Sequence, residues 1–470
     1  MQIPILSGVY ADTAPGLRTS YPVNMMPVPM GSGVSDSYLR PGDGIVLLGT
    51  GPGADRGGIE WRGICYRVQG SKLVTVSSGG TVTELGDVGN DGRLVTMDYS
   101  FELLGIASDG KLWFYDPAAG TLTQNTDPDL GLVVDVVWVD GYWMTTDGEF
   151  LIVTELGDPF AVNPLKYGSS EVDPDPVLAV LKLRNEVYAI NRHTIEAFDN
   201  VGGALFPFAR IDGAQIEKGA LGTHACCVFQ EAIAFVGSGA NESPGVYLGA
   251  NAQAQKISTQ EVDEILLSYP GAELSFLKME SRNDRNHQLL YVHLPDRTLV
   301  FDAAATQALQ QPIWFNLTSA LLNDFDRYLG HCMTWCYDRW IVGDPTSGRI
   351  GYLTTDISSH WGDRVRWEFG TVLIYGESRG AIMHELELVA LTGSVSISDV
   401  PQISTSYTLD GLTWSQDKFI SAGLIGNRRK RLTWHRQGFM RQWRAQRFRG
   451  DSNAHISPIR LEARIEPLAV

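Results

Sequence analysis

Hydrophobic and polar positions along this chain change over in short bursts and do not recur at helical spacing. The unit is a β-type run, a turn, and a second run that closes on an aromatic or aliphatic residue. "YRVQGSKLVTV" begins at Tyr66, "LGIASDGKLWFYD" at Leu104, "YWMTTDGEFLIVT" at Tyr142 and "VYAINRHTIEAF" at Val187. "IAFVGSGANESPGVYLG" follows at Ile233, "LLYVHLPDRTLVFDA" at Leu289 and "WIVGDPTSGRIGYLT" at Trp340. The starts lie roughly 40 to 55 residues apart, the spacing of blades in a β-propeller. Asp109-Gly110 and Asp147-Gly148 offer the positive backbone dihedrals that tight hairpin turns require. The flanking runs alternate or are wholly apolar, as strands packed between neighbouring blades must be. One four-stranded sheet cannot bury both of its faces, so about seven such units are expected to close around a common axis.

Two segments fall outside the repeat. Residues 1–60, with "YPVNMMPVPMGSGVSDSYLRPGDG", are rich in Pro and Gly and read as an extended N-terminal arm. Such an arm closes the ring or lies along a neighbour. The propeller is then expected over 61–377. Across 378–470, "HELELVALTGSVSISDV", "QISTSYTLDGLTWSQ" and "PIRLEARIEPL" alternate cleanly, which predicts a C-terminal β-sandwich with a hairpin at Asp410-Gly411.

Composition narrows the class without naming a chemistry. The chain has 470 residues, 44% hydrophobic and 19% charged, the profile of a globular protein with a large core. No apolar run reaches membrane-spanning length, since "LGLVVDVVWV" is broken by Asp135. The start, "MQIPILSGVY", lacks the charged opening and long apolar centre of a secretion signal. The sequons at Asn241 and Asn316 therefore read as chance matches. Five cysteines, an odd number in a long chain, do not form a disulfide framework and fit synthesis in a reducing cytoplasm.

Catalytic signatures are scarce. "GTGPGADRGG", Gly49 to Gly58, has no Gly-Lys-Ser/Thr ending, so it reads as a sharply turning connection and not a phosphate loop. "HCMTWC" sets His331, Cys332 and Cys336 close together, but a zinc site would need a second ligand pair at suitable spacing. On a strand Cys332 and Cys336 would share a face as buried thiols, while Cys226 and Cys227 would point to opposite faces. "TLDGLTW" resembles the Asp-box hairpin of sialidases, for which a turn is the sufficient explanation. No catalytic residue, metal site or cofactor is assigned.

The exceptional stretch is "NRRKRLTWHRQGFMRQWRAQRFRG", Asn427 to Gly450. It holds nine basic residues and no carboxylate: Arg428, Arg429, Lys430, Arg431, Arg436, Arg441, Arg444, Arg447 and Arg449. The whole chain carries a formal net charge of −17, and without this stretch 28 basic residues face 54 acidic ones. Gripping nucleic acid is one reading, with arginines on phosphates and Trp434, Phe439, Trp443 or Phe448 stacked on bases. In the other, "RLTWHR" and "WRAQRFR" are two sandwich strands joined near Gln437-Gly438, each with an apolar face and a charged face. That charged face would then meet carboxylates on another copy or on an adaptor, because a head-to-tail ring contact joins two different patches. The second reading is favoured, and the nine residues become a candidate subunit or adaptor interface.

Several stretches, taken in order, resemble the packaged-DNA stabilisation or tail hub (nozzle) proteins of short-tailed bacteriophages. They are "YPVNMMP" from Tyr21, "YLRPGDGI" from Tyr38, "YRVQGSKL" from Tyr66 and "GDVGNDGRLVTM" from Gly86. "TIEAF" from Thr194, "HLPDRTLVFDA" from His293, "TTDISS" from Thr354, "YTLDGLTW" from Tyr407 and the "RRKRLTWHRQG" run complete the series. The chain departs from the family in "VLLGTGPGADRGG" and around "ALFPFARIDGAQ". The resemblance implies a virion protein of the tail and not an enzyme, assembled in the bacterial host cytoplasm. It implies a homohexameric ring below the portal-adaptor ring that continues the DNA channel, retains packaged double-stranded DNA and holds the tail needle or plug and the tailspikes. An acidic channel wall would repel DNA of any sequence and let it slide. Two other classes compete: a carbohydrate-active propeller with an accessory sandwich, and a sequence-independent DNA-binding protein.

Overall fold

The computed structural model describes residues 2–3, 22–30, 37–170, 174–321, 326–375, 380–394, 400–451, 453 and 455–468. Among them, seven antiparallel sheets of four or five strands follow one another along the chain. The inner strands of the sheets are Asp55–Trp61, Thr96–Tyr99, Asp135–Val139, Val177–Leu183, Cys226–Phe229, Lys278–Asp284 and His331–Cys336. Each touches the next and the seventh touches the first, so they form a closed cycle and the sheets radiate as blades of a propeller. Apolar side chains fill every gap between blades. Trp61, Tyr66, Ile106 and Tyr115 join blades one and two, and Val74, Val76, Ile341 and Ile350 seal blade one to blade seven. Each fully buried Val, Leu or Ile there contributes about 1.5–3 kcal/mol.

The turns form as their residues require, with one difference. Asp109 and Gly110 both take positive φ, 53° and 67°, as do Arg62-Gly63 and Asp140-Gly141. At Asp147-Gly148 only the glycine does. There the Asp147 carboxylate accepts from the amides of Glu149 and Phe150 at 2.9 and 2.8 Å, a side-chain turn that leaves Asp147 at negative φ.

The residues expected to form the arm are partly built into the propeller. Gly44–Thr50 is the outer strand of blade seven, antiparallel to Arg349–Thr354, and Asp55–Trp61 is the inner strand of blade one. A lone outer strand has no hairpin partner nearby in sequence, so a search for hairpins passes over it. Residues 4–21 and 31–36 of the expected arm lie outside the described residues.

Between them, Met25–Pro29 pairs with Ser37–Pro41 as a hairpin wedged between the two domains. Successive side chains of a strand point to opposite sides. Met25 accordingly enters the sandwich core and Met26 the propeller core. Asn24, at φ 51°, fastens the junction: its amide donates to the carbonyls of Thr318 (2.9 Å) and Arg366 (2.7 Å) and accepts from the Thr318 amide (3.0 Å).

The C-terminal sandwich starts at Trp367–Gly370, before residue 378, because that short strand pairs with Trp443–Gly450. Its second sheet continues through Gln402–Thr408 to Lys418–Ser421. The facing sheet is built on Ala381–Ser394 and His455–Pro467, with Leu432–His435 on one side and Gln2–Ile3 at the other edge. Phe369, Phe448 and Trp434 form the aromatic centre between the sheets.

Candidate interaction surface

Carboxylates near the propeller axis hold neighbouring blades together. Asp98 of blade two accepts from the Trp138 amide of blade three at 2.7 Å, and Asp135 of blade three from the Val180 amide of blade four at 2.9 Å. Glu280 of blade six accepts from the Met333 amide of blade seven at 2.8 Å. Burial pushes the Asp135 carboxyl up to about 6, with two backbone amides pulling the other way. Burial also opposes ionisation of Glu280, but Lys278 and His293 overcome it and hold that carboxyl down to about 2. These groups went unassigned in the sequence reading. Asp135 was visible as the acid interrupting "LGLVVDVVWV", yet its role depends on a partner 45 residues away.

The arginine-rich segment spans both sheets of the sandwich. Leu432–His435 lies in one sheet and Trp443–Gly450 in the other, but the expected hairpin does not form at Gln437-Gly438. With Arg436 and Gly438 at positive φ the strand is only interrupted there, resumes against the same partner at Phe439–Met440, and crosses to the other sheet after Met440. Leu432 and Trp434 point inward as alternation predicts. In "WRAQRFR", however, Arg444 and Gln446 share the face of Phe448, and all three are buried. Arg444 lies 3.7 Å from the centre of the Tyr407 ring. It donates to Gln446 Oε1 from Nε (3.0 Å) and Nη2 (2.8 Å), and to the Gln437 carbonyl at 2.5 Å. Burial, only partly offset by Tyr407, brings its guanidinium down to about 10. Arg444 is therefore removed from the candidate surface: it is a strut inside the sandwich.

Three more of the nine are engaged within the chain. Arg431 forms a two-pronged pair with Glu387, Arg449 reaches Asp417 at 2.7 Å, and Arg447 lies over Trp414 at 4.0 Å. Arg428, Arg429, Lys430, Arg436 and Arg441 are exposed. The loop carrying the first three is held against Gly393, whose carbonyl accepts from the Gly426 amide at 3.0 Å. A Cβ on Gly393 would come within 2.9 Å of the Asn427 backbone at a φ of 85°, so the close approach requires glycine.

Charge is divided sharply between the domains. Residues 366–470 hold 14 basic and 10 acidic residues, whereas 1–365 hold 23 and 44. Most of the imbalance sits in residues 95–213, blades two to four, with 6 basic against 19 acidic. Glu102, Asp129, Asp140, Glu149, Asp158 and Asp199 are exposed there. Basic side chains are thus concentrated in the sandwich and acidic ones in blades two to four.

The remaining candidates resolve into structure. "GTGPGADRGG" is the tight passage from blade seven to blade one, where a Cβ on Gly51 would fall 1.6 Å from Gln69 Oε1. In "TLDGLTW" the Asp410 carboxylate accepts from the Leu412 and Thr413 amides, both at 2.8 Å, which caps a turn. A cleft of about 730 Å³ opens between blades six and seven, lined by Asp43, Arg282, Trp335 and Trp340 among others. Its buried carboxylate, Asp43, is held below the usual range: burial raises it, but Arg282 and Arg40 outweigh that. A glycosidase acid needs a raised carboxyl. Cys226 is buried and Cys227 half-buried. Cys332 and Cys336 are both buried but do not share a face: a bulge between His331 and Thr334 turns Cys332 toward blade six and leaves Cys336 against blade one. Among the described residues no group of three His, Cys, Asp or Glu is placed to hold a metal, and no helix is long and apolar enough to cross a membrane.

A family model described as the β-propeller of bacteriophage P22 Gp10 matches residues 1–358, and one for the Gp10 β-sandwich matches 366–466. The chain belongs to the bacteriophage P22 Gp10 family. Its Gp10 relative from Salmonella phage P22, the "tail hub protein gp10", is 29% identical over 462 residues, which is 94% of each chain. Among solved structures, the N-terminal domain of Nup159 aligns over 71% of this chain and 99% of its own at 10% identity and a TM-score of 0.41. The computationally designed Ika8 protein aligns over 66% of this chain and 99% of its own at 15% identity and a TM-score of 0.34. For the Gp10 family, then, the structure supplies a ring of blades, a fused sandwich and two oppositely charged surfaces.

Proposed function

We propose that this chain is a structural tail hub of a bacteriophage virion. The observation that carries the reading is the Gp10 match in both domains, in order, over nearly the whole chain. In this reading identical copies form a ring, a hexamer by family resemblance, seated below a portal-adaptor ring. The ring continues the channel for double-stranded DNA, retains the packaged genome and holds the needle or plug and the tailspikes. The subunit carries no catalytic duty.

The division of charge supports a specific way of building the ring. Arg428, Arg429, Lys430, Arg436 and Arg441 of one copy face the acidic rim of blades two to four on the next. With its arginines committed to neighbours, the hub offers DNA few cationic contacts, and DNA slides through without sequence preference. Symmetry-free electron-microscope imaging of particles from the native source tests this reading. A ring of this chain stacked on a portal assembly is expected. A monomer outside any particle would overturn the hub reading, and arginines touching phosphates along the channel would overturn the assignment of the basic tip.

A further inference from the structure

Where blades six and seven meet near the axis, a lysine and a cysteine are brought unusually close. Lys278 opens the inner strand of blade six, and its Nζ lies 2.9 Å from Cys332 Sγ of blade seven. Other polar contacts to sulfur among the described residues are far longer: 3.5 Å for Cys226 to the Thr223 carbonyl, 3.8 Å for Cys336 to the Gly63 carbonyl, and 3.9 Å for Arg40 to Met26. The approach is built by the backbone. Cys332 sits at φ 53° inside the bulge, which swings its side chain off the blade-one face and onto Lys278. Such a bulge re-aims a side chain at a local cost that the surrounding packing must offset.

The surroundings fix both partners. Lys278 pairs with Glu280 at 3.4 Å, and Glu280 is held by His293 at 2.7 Å and by the Met333 amide. The Cys332 carbonyl accepts from Arg67 at 3.1 Å, and Arg67 is itself locked to Asp55. His331, adjoining Cys332, is buried with neither ring nitrogen hydrogen-bonded among the described residues, and burial keeps its imidazole neutral, so it adds no charge beside the pair. Cys332 is only 3% exposed, which favours small reagents such as dioxygen and slows thiols, so reduction needs a large excess of a small dithiol.

We infer that Lys278 and Cys332 form an oxidation-dependent covalent bridge, Nζ–O–Sγ, that ties blade six to blade seven. Dioxygen supplies the bridging atom. The S–H bond and two N–H bonds of the ammonium break, and S–O and O–N bonds form. Sulfur and nitrogen each give up two electrons; the four reduce dioxygen, whose second atom leaves as water with two of the protons. The third proton is released to solvent. Excess dithiol reductant supplies the four electrons needed to return thiol, amine and a second water. The site is a modification site on a structural protein, and it stands whether or not the hub reading does.

The test is mass spectrometry of the full-length protein purified in air, compared with the same sample after dithiol reduction. The expected result is a linked peptide pair containing Lys278 and Cys332, heavier than the two peptides by one oxygen less two hydrogens. Of the five cysteines, four would accept an alkylating reagent after unfolding in air and all five after reduction. Air-exposed protein with five alkylatable thiols would overturn the inference, as would oxygen found on the Cys332 peptide alone, the signature of ordinary sulfenic or sulfinic oxidation. As a second measurement, reductant is expected to lower the melting temperature of the air-exposed wild type and to leave Cys332→Ser unmoved. An equal reductant shift in both proteins would count against the bridge.

Discussion

The propeller and the sandwich each bury an arginine completely, and they hold it in opposite ways. Arg67 in blade one meets a carboxylate: Asp55 takes two hydrogen bonds, both 2.7 Å, and both side chains are fully buried. Arg444 in the sandwich meets a ring and neutral oxygens, with its guanidinium on Tyr407 and its donors on Gln446 and Gln437. The difference follows the charge of each domain. Where acids are in excess a buried cation is neutralised; where bases are in excess it is solvated by amides and an aromatic face. A buried pair costs much to break, because the partner left behind is a bare buried charge, whereas an amide-solvated cation can be exchanged for an apolar side chain of similar length with less harm.

The sharpest way to break the comparison is Arg67→Met, which leaves Asp55 buried without its partner. It is expected to destabilise the propeller by about 3–5 kcal/mol, read as a fall in the unfolding midpoint in denaturant. Acidification should act almost as strongly. Burial brings the His360 imidazole down to about 4 from an ordinary 6.5, so the unfolded chain binds its proton first. Stability present above pH 6.5 is then lost as pH falls toward 4, by about 3 kcal/mol for this residue. His360→Gln should flatten that part of a pH–stability curve. Glu280 adds a second loss at lower pH, from about 4.5 down toward its folded value of about 2, because a depressed carboxyl must be protonated as the propeller unfolds.

Arg444→Met sharpens the contrast from the other side. It strands Gln437 and Gln446 oxygens but no charge, so about 1–3 kcal/mol is expected, less than for Arg67→Met in the same assay. Smallest for the fold is reversal of the basic tip, Arg428→Glu with Arg429→Glu and Lys430→Glu. All three are exposed, and the melting temperature is expected to stay put. Ring assembly, followed by native mass spectrometry at low salt, is expected to fail. It should return when carboxylates on the blade-two to blade-four rim are reversed in the same chain.

The hairpins were legible because their partners are near in sequence: Leu104–Ser108 pairs with Lys111–Asp116 across a two-residue turn. Features that depend on distant partners were not legible. Gly44–Thr50 reads as an isolated apolar run until Arg349–Thr354 lies beside it. Trp367–Gly370 is too short to announce a sandwich on its own, and its partner is Trp443–Gly450. The candidate surface was half legible. Alternation placed Leu432 and Trp434 correctly, but counting from Phe448 and not from Trp443 would have put Arg444 inside. The bulge at Cys332 left no mark in the sequence, since a bulge changes which way side chains point without changing which residues are there.

The closing strand of blade seven also sets a timetable for synthesis. Gly44–Thr50 leaves the ribosome early, and its partner Arg349–Thr354 follows about 300 residues later, an interval of about 15–60 s at ordinary translation rates. Asn24 waits equally long for Thr318 and Arg366, which lie 294 and 342 residues downstream. During that interval a growing chain carries an open strand edge at its front, and the matching vacancy appears only when blade seven is made. Neighbouring chains on one message therefore present each other with interchangeable ends, the condition under which identical chains exchange strands.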